Sequence, residues 1–192
     1  MKIEILVPNG KSGNWSVETK TITKEDERKG RLRAMFSFTG RFVPAGTYKG
    51  LKRNGNLIMS NTPDEIGDHI EFIHKAKGNV LINGLGLGVA LKAILEKTGE
   101  EKVKKVIVVE NSKDVIKLVA PTYKDDKRIT IVNEDAFKYV PPKGIKFDAV
   151  WHDIWDNICS DNLPEMAKLH RKYGRKTDWQ GSWCKSECRR NR

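Results

Sequence analysis

Val80-Leu-Ile-Asn-Gly84-Leu-Gly86-Leu-Gly88 is an apolar run that breaks into three alternating glycines, and a helix-spaced segment at 89–97 follows at once. Strand, glycine turn and helix in that order are built to receive an anion or nucleotide. The glycines let a ligand reach the backbone, and the helix start offers free N–H groups at a positive end. Taken alone the triplet is turn chemistry as often as it is a binding loop, so its surroundings decide.

Those surroundings repeat a pattern. Four short apolar runs, at 79–82, 105–109, 128–132 and 147–151, are continuous rather than alternating, as in strands covered on both faces. Ala90, Leu91, Ile94 and Leu95 form one helical face after the first run. Residues 114–120 follow the second, with Ser112 as cap and Pro121 as stop. The sequence therefore predicts an α/β fold with a doubly wound, mostly parallel Rossmann-like sheet. Polar side chains recur where these strands end: Glu110, 26 residues after Gly84, then Asn133-Glu-Asp135, then Asp153. Ligands bind at the carboxyl ends of strands in such sheets, and an acid in Glu110's place accepts from ribose hydroxyls.

Upstream, residues 1–76 read as a small β-rich lead-in. Strands are expected at 2–7 and 15–23, a helix from 24 into the thirties, and a loop at 41–46. A hairpin closes at Asn54-Gly55, a pair that accepts positive φ at both turn positions. Thr62-Pro-Asp64-Glu65 is a helix beginning, with proline in the first turn and acids at the positive end, and the helix should run to Ala76. The expected organisation is thus 1–76 hairpin or gate region, 77–160 nucleoside-binding core, and 161–192 helical basic tail.

Composition narrows the class. The 192 residues (21.8 kDa) are 38% hydrophobic and 32% charged, with a mean hydropathy of −0.57. That is polar for a globular protein without being a disordered composition. No stretch approaches a membrane span, and the first residues carry too short an apolar run for a secretory signal, so a cytoplasmic protein without membrane contact is expected. Cys159, Cys184 and Cys188 are too few for a disulfide framework. With His170 they would make a four-ligand zinc set, but the spacing is loose and reduced thiols are the expected state; no metal is expected. Of the net charge of +11, residues 168–192 hold +7, from nine Lys/Arg against two acids. That tail is either solvated or a contact for nucleic acid. Trp179 and Trp183 among its cations suit stacked bases, yet core closure is the commoner role for tryptophan.

The motifs from about 57 to 157 together resemble the spermidine-synthase branch of the class I S-adenosylmethionine-dependent transferases. VLINGLGLG is similar to that family's first motif. Glu134-Asp135-Ala-Phe-Lys-Tyr139 resembles its third-strand motif and Phe147-Asp-Ala-Val-Trp-His-Asp153-Ile-Trp-Asp156 its fourth. Ile58-Met-Ser-Asn-Thr-Pro-Asp64-Glu65, followed by His69, is similar to its gate hairpin and acidic helix. The resemblance implies a sulfonium donor, S-adenosylmethionine or its decarboxylated form, held by Asn83, Gly84, Gly86, Gly88, Glu110, Asn111, Asp135, Ala136 and Asp153. It implies that Glu110 holds the ribose and Asp135 the adenine amino group. Asp153 and Asp156 become the catalytic candidates: Asp153 to orient or deprotonate an amine acceptor, Asp156 to bind a cationic one. Asp64, His69 and Trp155 fall on the acceptor side, and Trp151 and Tyr139 offer further ring faces. His152 points to the opposite side of an ideal strand and reads as structural.

Three departures from the family stand out. Leu87 and Ile82 occupy places where the family carries an acid for the donor's ammonium. Asn157 replaces a proline. Only 36 residues follow Asp156 and none reads as a strand, so a shortened sheet is expected, its edge covered by the tail, the N-terminal strands or a second copy. The stretch from Asp161 to Trp183 also resembles segments of small phage-encoded proteins of the superfamily. Methyl transfer is the leading reading. The alternatives are aminopropyl transfer to a polyamine, or a non-catalytic nucleic-acid- or partner-binding module with a vestigial pocket.

Overall fold

The computed structural model describes residues 3–37 and 42–190. Four strands open it as an antiparallel sheet in sequence order: β1 (Gly10–Ser12), β2 (Trp15–Ile22), β3 (Gly46–Arg53) and β4 (Asn56–Ser60). Helix α1 (Lys24–Ser37) leaves between β2 and β3. Thr23 and Asp26 cap it reciprocally, each backbone N–H donating to the other's side chain at 3.0–3.1 Å. The β3–β4 hairpin turns at Asn54 and Gly55, with φ of 52° and 81°, as the dipeptide requires.

Residues 3–7 do not pair as the predicted strand, and residue 2 lies outside the described part, as does Arg41 at the start of the predicted loop. Ile3, Ile5 and Val7 are nevertheless buried at alternate positions, so their side chains fill the core without a ladder. The predicted 62–76 helix is interrupted. Helix α2 (Pro63–Asp68) and helix α3 (Ile70–Lys75) meet at His69, whose N–H donates to Ile66 O at 3.1 Å and tightens the turn.

The rest is a five-stranded parallel sheet. In chain order come β5 (Gly78–Asn83), α4 (Val89–Leu95), β6 (Val103–Glu110), α5 (Lys113–Val119), β7 (Ile129–Asn133) and β8 (Phe147–His152). They are followed by α6 (Leu163–Tyr173), β9 (Thr177–Ser182) and α7 (Lys185–Arg190). The spatial order β7-β6-β5-β8-β9 reverses direction between β5 and β8, which is the switch point of a doubly wound sheet. The expected fold class is the observed one. The tail differs from its reading as wholly helical: Thr177–Ser182 pairs with β8 from Phe147 to His152 and covers the edge that the sequence left open. A central-strand neighbour supplies the ladder, so this polar segment needs no apolar run of its own to be held.

Both sheets share one core. Val17 and Leu51 from the first belong to one buried cluster with Val80 and Trp151 of the second and with Phe72 of α3 and Leu91 of α4. The opposite face of the parallel sheet is closed by Leu81, Val109, Phe147, Val150, Leu169 and Tyr173. Burial of each such side chain contributes roughly 1.5–3 kcal/mol. Trp179 stacks with Trp151 at 6.2 Å and with Phe72 at 6.4 Å, the core-closing role rather than a base platform.

Candidate functional site

The carboxyl ends of β6, β5 and β8 are knitted into one rim. Gly84 N–H donates to Val109 O and Asp153 N–H to Asn83 O, both at 2.8 Å. Gly84 sits at φ 101°, and a Cβ there would lie 1.8 Å from the Asp153 carbonyl oxygen. Only glycine lets this loop and Asp153 come this close. Above the loop, Met59 of β4 receives the Leu87 N–H on its sulfur at 3.3 Å, and a Cβ on Gly86 would meet that sulfur at 2.5 Å. The hairpin predicted as a gate therefore does lean on the glycine loop. Gly88 lies deeper, capping α4 against Tyr123, whose hydroxyl donates to its carbonyl at 3.1 Å.

Between rim and hairpin lies a cavity of about 430 Å³. Gly84, Gly86, Glu110, Asn111, Asp135, Ala136, Asp153, Asp156, His69 and Trp155 all line it. The Trp151 and Tyr139 rings, expected as further faces, lie outside its lining, and three of the expected binding residues do not line it either. Asn83 is fully buried beneath the rim, its side-chain amide 2.8 Å from His152 Nδ1, and Gly88 faces Tyr123. Asp64 is replaced at the cavity wall by its neighbour Glu65, because the first turn of α2 turns the second acid inward. The Glu65 carboxylate accepts from the Ser60 N–H.

Two oxygens hold Glu110 in place: Oε2 accepts from Leu85 N–H at 2.9 Å and Oε1 from Ser112 N–H at 2.8 Å. Its carboxylate thus faces the glycine loop. Asp135 Oδ1 accepts from Phe137 N–H at 2.7 Å, fixing the turn after β7. Asp153 is a strongly perturbed acid. Its side chain is 9% exposed, and burial, with the carboxylates of Glu65, Asp68 and Glu110 added, pushes its pKa up to about 8. His69, 1% exposed, stands 3.9 Å from Asp153 Oδ2, and burial holds its pKa down at about 4. The ring is neutral at pH 7 and Asp153 carries its proton, so the contact there is between two uncharged groups. His69 is a buried member of the wall rather than a surface histidine.

The far end of the cavity carries features that the motifs did not announce. Arg53, at the end of β3, pairs with Asp156 and lies 5.3 Å over the Trp15 ring. Trp155 Nε1 donates to Glu165 Oε2 at 2.8 Å, and Trp183, just past β9, closes the side. Trp15, Arg53, Glu165 and Trp183 are distant in sequence from the glycine motif. The register Trp15↔Arg53 sets the first two side by side, Glu165 comes in on α6, and the unpredicted strand β9 leads to Trp183. His152 takes the structural role read for it, bonded by Asn83 and facing Gln180 Oε1 at 3.3 Å.

No protein-family profile matches the chain. Sequence comparison does find relatives. Over 95 residues the chain is 38% identical to a polyamine aminopropyltransferase of Hydrogenobaculum sp. (strain Y04AAS1), covering 46% of this chain and 33% of that protein. Over 134 residues it is 33% identical to polyamine aminopropyltransferase 1 of Streptomyces coelicolor, covering 62% of this chain and 23% of that one. The chain spans a third or less of the length of these curated relatives. The resemblance to the spermidine-synthase branch thus stands on sequence as well as on motifs. Among solved structures, a dimethyladenosine transferase of Plasmodium falciparum overlays with a TM-score of 0.41 at 25% identity, covering 57% of this chain and 37% of that one. The CcbJ methyltransferase of Streptomyces caelestis gives 0.44 at 15%, covering 59% and 44%. Both overlays are loose.

Among the described residues no helix is long and apolar enough to cross a membrane.

Proposed function

We propose that the chain is a transferase that takes an S-adenosyl sulfonium donor at the rim of β5, β6 and β8 and alkylates an amine acceptor beside Asp153. One observation carries this reading: Asp153 is locked against the glycine loop by the missing Cβ of Gly84, inside a cavity otherwise rich in carboxylates. The residues fit the donor. Gly84 and Gly86 leave the backbone open to it, Glu110 and Asp135 supply ribose and adenine acceptors, and the acids favour a cation. The donor brings a sulfonium already activated for displacement. The protein's own part is to line up the acceptor nitrogen, exclude water and take up its proton. When the nitrogen's lone pair forms the new bond to carbon, the C–S bond breaks to leave a neutral thioether, and the surplus proton on nitrogen passes to Asp153.

The transferred group is read as methyl. Leu87, fully buried, stands where the family's acid would be, so nothing in the loop repels the carboxylate of intact S-adenosylmethionine. The second reading, aminopropyl transfer to a polyamine, draws on the two curated relatives and on the carboxylates of the acceptor end. Incubation with each sulfonium and a panel of amines separates them. S-adenosylhomocysteine formed from the intact donor is the expected result. Methylthioadenosine formed only from the decarboxylated donor would establish the second reading, and no nucleoside product from either would leave a binding module.

Glu110→Gln tests the donor site independently of turnover. It keeps the shape but weakens acceptance from ribose hydroxyls and loop amides, so S-adenosylhomocysteine should bind about 1–3 kcal/mol more weakly by calorimetry. Unchanged affinity would show that the nucleoside lies elsewhere.

A further inference from the structure

The acceptor end of the cavity already holds a cation, and it is the chain's own. Arg53 is the one lysine or arginine among the described residues that line the cavity. Acids recur around it, Glu65, Glu110, Asp135, Asp153 and Glu165 among them. The neighbouring Lys52 is engaged elsewhere, donating to Glu18 of β2. A wall of this kind attracts positive charge, so the place taken by its own cation decides what else can enter.

Arg53 ends β3 just before the Asn54-Gly55 turn, and Asp156 follows β8. The two pair although 103 positions separate them in the chain. Two contacts keep the guanidinium there. The β2–β3 register sets Trp15 opposite Arg53, and the guanidinium lies 5.3 Å over that ring, whose face attracts a cation. The β3–β4 hairpin is in turn fastened to the glycine loop, where Leu87 N–H meets the Met59 sulfur at 3.3 Å. The arm that carries Arg53 is therefore anchored beside the rim. Solvent still reaches the pair, whose side chains are 41% and 39% exposed, so the bond is of modest strength. A tethered guanidinium nevertheless has the advantage over a dissolved ammonium. Its effective concentration is high and fixed, and it gives up its water more readily.

Asp156 lies three residues beyond Asp153, no more than about 11 Å along the chain. An acceptor with one nitrogen at Asp153 and a second ammonium on a short carbon chain would reach toward Asp156. It meets Arg53 there.

We infer that Arg53 sets acceptor specificity: by occupying Asp156 it excludes a second positive charge, so the cavity takes monoamines in preference to short diamines. This deepens the transferase reading and rests on it for what enters beside Asp153. Trp15, Trp155 and Trp183 line the same end and offer apolar faces to the rest of such an acceptor.

Butylamine and 1,4-diaminobutane share a carbon chain and differ by one cation, which makes them the probes. Their affinities for the full chain are read from tryptophan fluorescence at constant ionic strength, with and without saturating S-adenosylhomocysteine. The parent should bind the diamine no more tightly than the monoamine. Arg53→Gln should tighten the diamine at least about threefold relative to the monoamine, while Arg53→Lys, which keeps the charge, should keep the parent ratio. A ratio unmoved in Arg53→Gln overturns the inference. So does a parent that already favours the diamine, since another acid such as Glu165 would then hold the second ammonium. Equal gains for both amines, or Arg53→Lys behaving as Arg53→Gln, would show that bulk and not charge is at work, and would overturn it as well. Absence of saturable amine binding in Arg53→Gln has the same consequence. Failure of the donor reading looks different: the parent would bind no S-adenosylhomocysteine, while the amine ratio measured without nucleoside would still move in Arg53→Gln.

Discussion

Asp153→Asn will reduce turnover about 10²–10⁴-fold, the range spanned by removal of a general base, while leaving S-adenosylhomocysteine affinity within ~0.5 kcal/mol of the parent. The amide fills the same space and keeps the backbone bond from Asp153 N–H to Asn83 O, so the rim survives. What goes is the ability to take a proton. The pH dependence tests the same role. In the free protein the Asp153 carboxyl titrates at about 8, so kcat/KM should climb through that pH as the base form appears. The asparagine variant should lose this limb and be flat across it. Stability should move the opposite way. A carboxyl whose folded pKa is raised stabilises the fold fully below its unfolded value near 3.8 and loses that contribution as pH rises through 8. Asp153→Asn removes the loss, so at pH 9 the variant should be more stable than the parent by on the order of 1–3 kcal/mol in urea unfolding. A variant that turns over normally, or a parent whose rate is level between pH 6 and 9, is incompatible with Asp153 as the base.

The same residue shows why part of this molecule was legible in its sequence. Asp153 follows a strand that is apolar on both faces, so its place at a strand end comes from a local pattern, as do those of Gly84, Glu110 and Asp135. Parallel strands buried on both sides must be continuous apolar runs, and that requirement is written within each segment. Where an element is fixed by a neighbour instead, the pattern is silent. Thr177-Asp-Trp-Gln-Gly-Ser182 is a strand because β8 offers it a ladder, and nothing in those six residues says so. Ile3, Ile5 and Val7 show the converse: alternation records alternate burial, and here the burial is real while the pairing is not. Glu65 in place of Asp64 is a one-residue matter of helix phase, beyond what an acidic first turn resolves. Arg53 and Trp15 enter the site through the register between two strands, which depends on the whole hairpin. Short-range chemistry of the site was therefore readable, and its far wall was not.

Acid will unfold the protein well above the pH at which its carboxylates alone would be protonated. Three histidines are responsible. Burial holds His69 at about 4, His152 at about 3 and His170 at about 4, with Lys185 and Arg189 repelling charge on His170 as well. In the unfolded chain each titrates near 6.5. A depressed folded pKa gives stability that is present in full above 6.5 and is withdrawn as pH falls toward the folded value. A tenfold change in proton affinity corresponds to about 1.4 kcal/mol, so the two enclosed rings, His69 and His152, together withdraw a large share of the ~5–15 kcal/mol that holds an ordinary domain folded. His170, only half enclosed, adds less because solvent screens its charge. Asp153 acts against this, because its raised pKa favours the fold at low pH, and the histidines outnumber it. Near-ultraviolet circular dichroism, sensitive to the stacked Trp151 and Trp179, should therefore lose its signal cooperatively between pH 6 and 4. His152→Gln removes the most depressed of the three at a site already lined by amides of Asn83 and Gln180, so its midpoint should move to lower pH. Native tryptophan packing persisting at pH 3.5, or a midpoint unmoved in that variant, would mean that these rings reach water far more easily than their burial implies.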